Sequence, residues 1–162
     1  MIEVSVDQQQ LQAVARRLSQ EADGKKLRRD LAKNLRAALD PAKQEIRSGL
    51  MSMSTAGLPT DGPPLRAAVL KNLKAEARLT GRSTGARLRI RKKGMPRDFP
   101  NAPKRLNRKG GWRHQVYGRD VWVRQLGEPD YFDRPTRQNK AVYRAAVRAA
   151  MADSIRRISA RG

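Results

Sequence analysis

The chain has no cysteine, which removes disulfides and thiolate-built metal sites from consideration. Its single histidine, His114, excludes the zinc sites assembled from several imidazoles. No apolar run approaches the length of a membrane span or of a signal-peptide core, so the expectation is a chain made and assembled in a cytoplasm, with no membrane partner. Bulky groups are scarce too. The apolar fraction is 38 %, much of it alanine, which buries little area, and aromatics make up 4 %. Negative charge is short as well. Fifteen acidic residues stand against 36 Lys and Arg, a net +21. Self-repulsion at this level opposes compaction and favours a polyanionic or acidic partner.

A length of 162 residues predicts one compact domain, 1–162. The charge within it is uneven. Residues 82–113 hold twelve basic residues and one acidic, a balance of +11, whereas 1–24 balance at −2 and 114–132 at −1. Five of the seven aromatics follow directly: Trp112, Tyr117, Trp122, Tyr131 and Phe132.

Along the chain, Ile2, Val4 and Val6 alternate with polar residues and predict a first strand. Asp7 is placed to cap a helix with Leu11, Val14 and Leu18 on its apolar stripe, ended by Asp23-Gly24. Leu27, Leu31, Leu35, Leu39, Ala42, Ile46 and Leu50 then recur at three- and four-residue steps. Pro41 interrupts the segment chemically but not in phase. It allows one helix over 25–53 kinked there, or a restart with Asp40 as cap; the unbroken phase favours the kink. "STAGLPTDGPP" reads as a loop, and "LRAAVLKNLKAEARL" as a helix with Leu65, Val69, Leu73 and Ala77 on one face, closed by Gly81.

The period changes at "GARLRIRKK". Ala86, Leu88 and Ile90 alternate with Arg87, Arg89 and Arg91, predicting a strand with one buried face and one arginine face. Residues 91–111 carry several prolines and glycines and read as an extended, exposed basic loop. "WRHQVYG" and "DVWVRQ" predict a hairpin around Gly118-Arg119-Asp120, with its aromatics packed as core. A final helix over 134–159 places Tyr143, Val147, Met151, Ile155 and Ile158 on one stripe, and the tail 159–162 is expected to fray. The fold class expected is α+β: a small, mostly antiparallel sheet packed by long helices.

Chemistry has few footholds. Asp120, Glu128, Asp130 and Asp133 are the local carboxylate cluster, and turn-shaping explains them better than a magnesium site. His114 lacks a recognisable nucleophile nearby. "GRSTG" at 81–85 lacks the Gly-Lys-Ser/Thr ending of a phosphate loop and follows a helix. No catalytic residue, metal or cofactor is expected. The candidate contact surface is Arg87, Arg89, Arg91, Lys92, Lys93, Arg97, Lys104, Arg105, Arg108 and Lys109, able to meet phosphates or an acidic protein. Trp112, Tyr117, Trp122, Tyr131 and Phe132 are assigned to structure.

The order of features carries a resemblance. "LPTDGPPLRAAV" leads into a helix, "HQVYGRDVWVRQ" and "DYFDRP" follow, and an alanine-rich helix ends the chain. This resembles the small morphogenesis proteins of long-tailed bacteriophages called minor tail, tail-completion or head–tail joining proteins, in the versions found in phages and prophages of actinobacteria. The chain departs from many members in its basic segment 91–113. The resemblance implies a non-enzymatic virion protein of the neck, a ring of six copies around the DNA channel that completes the tail end. Its neighbours would be the head connector or stopper, the tail terminator or tail-tube proteins, and the genomic DNA. It would be assembled in the host bacterial cytoplasm. A tail-terminator or connector-adaptor role and a sequence-nonspecific nucleic-acid-binding protein are the alternatives. Under the neck reading, the basic segment is an arm toward adjacent subunits, the connector or DNA.

Overall fold

A computed structural model describes residues 2–4, 8–53, 65–81, 84–97, 99–115 and 120–160, with backbone alone at 2–4 and 114. The expected strand residue Val6, the cap Asp7, the loop 54–64, most of the hairpin turn with Tyr117, and the last two residues lie outside them. The fold is α+β, as its mixture of helical and alternating periods requires. The elements are β1 (Ile2–Val4), α1 (Gln8–Gln20), α2 (Gly24–Ala37), α3 (Asp40–Met51), α4 (Leu65–Lys71), β2 (Leu73–Arg78), β3 (Gly85–Ile90), α5 (Ala102–Leu106), β4 (Trp112–Gln115), β5 (Trp122–Gln125), α6 (Asp133–Gln138) and α7 (Lys140–Ser159). They divide into two compact units. Unit 1 comprises residues 1–43, 75–89 and 138–162, and unit 2 comprises 44–74 and 90–137.

Unit 1 is built on three mutually packed helices, α1, α2 and α7. The predicted stripe of α1 is buried, with Leu11 and Leu18 fully enclosed. So is that of α2, through Leu27, Leu31 and Leu35. Each fully buried leucine contributes about 2 kcal/mol of transfer free energy. α7 adds Tyr143, Val147, Met151 and Ile158, but Ile155 stands 38 % exposed. Ser154 takes the inward place beside it, its hydroxyl donating to the Ala150 carbonyl at 2.9 Å. The expected single helix over 134–159 is two, α6 and α7, separated at Asn139. A three-stranded sheet in the order β1-β3-β2 completes the unit, with β1 antiparallel to β3 in the register Ile2↔Leu88 and Val4↔Ala86.

Pro41 does not kink a continuous helix. It restarts one. α2 ends at Ala37, and the Lys43 amide donates to Leu39 O at 3.0 Å, opening α3. In that first turn a proline's missing N–H removes no helical bond. Both Leu39 and Ala42 are fully buried, so the apolar phase survives the break.

The expected helix from Leu65 to Leu79 is also corrected. It stops at Lys71, and the chain becomes β2. Asn72 makes the change: its side-chain amide donates to Ala68 O at 2.8 Å and to Gly94 O at 3.1 Å, while its own carbonyl accepts the Arg91 amide at 3.1 Å. Beyond it, Leu73, Ala75 and Ala77 alternate with Lys74, Glu76 and Arg78, a period of two hidden inside a passable period of four.

Candidate basic interface

The segment expected to be an extended loop is an organised part of unit 2. A 3₁₀ turn at Lys92–Gly94 and the short helix α5 punctuate it. Met95, Ala102, Leu106 and Trp112 are buried along it. Trp112 packs on Phe99 with ring centroids 5.7 Å apart, and the Arg105 guanidinium lies 5.1 Å over the same Phe99 ring. Three apolar anchors and an aromatic pair hold the backbone of a segment whose charges point outward.

Asn107 joins it to the turn ahead of α6. Its backbone carbonyl accepts the Asp130 amide at 3.1 Å, its side-chain oxygen accepts the Phe132 amide at 2.9 Å, and its amide nitrogen donates to Asp133 Oδ2 at 2.7 Å. The turn is tight enough to hold Asp130 at φ 58°, a left-handed conformation that aspartate tolerates better than most residues. Tyr131 and Phe132 are buried behind it, and the Tyr131 hydroxyl donates to Pro103 O at 3.2 Å. Burial, and secondarily the Asp133 carboxylate, raise the Tyr131 phenol well above its ordinary pKa of 10.0.

The ten predicted contact residues divide sharply. Arg87 is not on a free arginine face: it is 9 % exposed and donates twice to Glu76 Oε2, at 2.8 and 3.1 Å. Glu76 lies on β2, within unit 1, and a charge this buried requires such a partner. Arg89 is exposed on β3, also in unit 1. Arg91, Lys92, Lys93, Arg97, Lys104 and Arg108 are exposed in unit 2. Arg105 is partly covered on Phe99, and Lys109 reaches Asp130 at 3.4 Å while its side chain stays 79 % exposed.

The carboxylates go to separate local partners. Asp120 accepts from Gln115 at 3.2 Å, Glu128 lies 3.7 Å from Arg134, Asp130 takes both Lys109 and Arg137, and Asp133 serves Asn107. Among the described residues, no cluster of three His, Cys, Asp or Glu is placed to hold a metal ion. A cleft of about 470 Å³ in unit 1 is lined by Gln12, Arg16, Ser19, Thr80 and neighbours. Two of its polar groups are engaged within unit 1: Gln12 donates to Gly81 O at 3.1 Å and Ser19 to Ala15 O at 2.8 Å. That arrangement offers no nucleophile poised against a base.

The β4–β5 ribbon departs most from expectation. Its register is Trp112↔Gln125, Arg113↔Arg124, His114↔Val123 and Gln115↔Trp122. Opposed residues share a face and alternate residues do not, so this register puts Trp112 and Trp122 on opposite faces. Trp112 is buried at 7 %; Trp122 is 55 % exposed and is not core. Arg113, Gln115, Trp122 and Arg124 are all exposed and share the outer face. The alternation within "WRHQ" and "WVRQ" carried this signal, but reading it needs the pairing register.

No protein-family model, no curated protein and no solved structure matches the chain. Among the described residues, no helix is long and apolar enough to cross a membrane.

Proposed function

We propose that the chain is a structural subunit of a bacteriophage neck, which completes the tail end and joins it to the head connector as one copy in a ring around the DNA channel. The observation that carries this reading is the succession from "HQVYGRDVWVRQ" through "DYFDRP" into a long alanine-rich terminal helix. In the fold that succession is the ribbon β4–β5, the Asn107-braced turn and the helices α6 and α7. The surface agrees with an assembly role. Exposed Met51, Val121, Leu126 and Val142 are groups that a subunit in an assembly can cover. The exposed cations of residues 91–109 suit the acidic face of a neighbour or the phosphates of a channel's DNA. The reading is non-enzymatic and calls for no cofactor.

Electron microscopy of the purified chain, together with immunogold labelling of virions of the phage that encodes it, tests the proposal. Rings in the first and label confined to the neck in the second are expected. A monomer at all concentrations, with no label on particles, would overturn it.

A further inference from the structure

We infer that the outer face of the β4–β5 ribbon is a binding site for single-stranded nucleic acid, with Trp122 as the base-stacking platform and Arg113 and Arg124 as the phosphate contacts. The inference concerns the chain's own surface and stands whether or not the neck reading does.

Three observations carry it. Trp122 is 55 % exposed in a protein with seven aromatics, and an indole left in water forgoes a large burial gain. Arg113 and Arg124 sit directly opposite each other across the ribbon, where like charges are destabilising. Among the described residues, neither forms an ion pair that would relieve this repulsion. An anion bound between them would.

The site is also preorganised. The Arg124 guanidinium is held by two bonds to Gly110 O, at 3.0 and 2.8 Å, and the Arg113 guanidinium lies 5.9 Å over the Trp122 ring. Gly110 belongs to the turn in which the Gly111 amide donates to Arg108 O at 3.2 Å, so the face continues into the cations Arg108 and Lys109. Gly111 adopts φ 64°, and a Cβ there would run into the Gln125 carbonyl; only glycine lets the basic segment approach the ribbon this closely.

An exposed aromatic flanked by fixed guanidiniums is the arrangement that stacks an unpaired base and neutralises the phosphates beside it. A duplex presents no free base face to Trp122. Arg113 and Arg124 make this face locally cationic, so copies of the chain in a ring would meet through other surfaces. Asp120 accepts from Gln115 at the far end of the strand pair and Asp130 pairs with Lys109 at 3.4 Å, which leaves Arg113 and Arg124 cationic.

The test uses the intact chain, an oligothymidylate of about twelve nucleotides, a duplex of the same length, and inorganic polyphosphate. Trp112 is buried, so quenching of tryptophan fluorescence reports on Trp122. The oligothymidylate should quench strongly, and duplex and polyphosphate weakly. Trp122→Ala should weaken oligothymidylate binding about tenfold and leave duplex binding within about twofold, while Trp122→Phe retains most of it. The double variant Arg113→Ala/Arg124→Ala should reduce the slope of log affinity against log salt by about 1.4. An unchanged circular dichroism spectrum for Trp122→Ala, expected because the side chain is exposed, separates binding from folding. Equal quenching by all three polyanions, or undiminished oligothymidylate binding by Trp122→Ala, would overturn the inference. So would self-association abolished by Trp122→Ala in a chain that no oligonucleotide quenches.

Discussion

At the scale of single residues, Asn107 does more than any charged group to fix the basic segment. It satisfies two backbone amides of the turn at 130–132 and one carboxylate oxygen of Asp133, with all three bonds between 2.7 and 3.1 Å. Alanine would leave the Phe132 amide and the Asp133 oxygen without these partners, so Asn107→Ala should lower stability by about 1–3 kcal/mol. Both tryptophans lie in unit 2, and urea denaturation followed by their fluorescence will report that loss. Tyr131, in the same turn, gives a pH dependence of definite sign. Its folded pKa is raised above the ordinary value of 10.0, chiefly by burial, so the native state holds the phenolic proton more tightly than the unfolded chain does. Its contribution is therefore complete below the unfolded pKa and is lost as pH rises beyond it. Unfolding midpoints measured across pH 9 to about 11 should fall more steeply for the natural chain than for Tyr131→Phe, which cannot ionise there.

At the scale of elements, the proline in the long leucine stripe makes a discriminating prediction. Pro41 stands in the first turn of α3, so Pro41→Ala should change stability by less than about 1 kcal/mol. Arg47, exposed and a turn further in, is a true interior position, and Arg47→Pro should cost about 3 kcal/mol or more. Chemical denaturation monitored by circular dichroism distinguishes the two. A single kinked helix would instead gain markedly from Pro41→Ala. The same elements show what could be read in the sequence. The apolar stripe from Leu27 to Leu50 was legible to the residue, because burial follows periodicity whether or not the helix is continuous. The stop at Asn72 was not, since Leu65, Val69, Leu73 and Ala77 fit a helix and the alternation that overrides it begins only at Leu73. The cations of 91–109 were legible as surface; Arg87, further upstream, was not, because its burial depends on the Glu76 carboxylate of a neighbouring strand. Trp122 was missed because face assignment in a ribbon hangs on register, and a one-residue slip moves every side chain to the other side.

At the scale of the whole molecule, the charge is distributed differently from its appearance along the chain. The sequence concentrates basic residues in 82–113, but each compact unit carries about half of the excess. Unit 1 has nineteen basic and eight acidic residues, +11, and unit 2 has seventeen and seven, +10. The exposed ion pairs among the described residues, such as Arg157 with Asp153 at 2.9 Å and with Asp30 at 3.9 Å, are too solvated to offset that field. Repulsion should therefore destabilise both units in parallel and be relieved by screening. Raising ionic strength from about 0.01 to 0.15 M shortens the Debye length from roughly 30 to 8 Å, below the dimensions of either unit. The thermal midpoint should rise by several degrees, where about 1 kcal/mol corresponds to roughly 2–4 °C in a chain this long. Tryptophan fluorescence follows unit 2, and far-ultraviolet circular dichroism is weighted toward α1, α2 and α7 of unit 1. Both signals should shift upward together. A shift confined to fluorescence would place the uncompensated repulsion in the basic segment alone, and a midpoint that stays level with salt would show the two units to be internally balanced against their net charge.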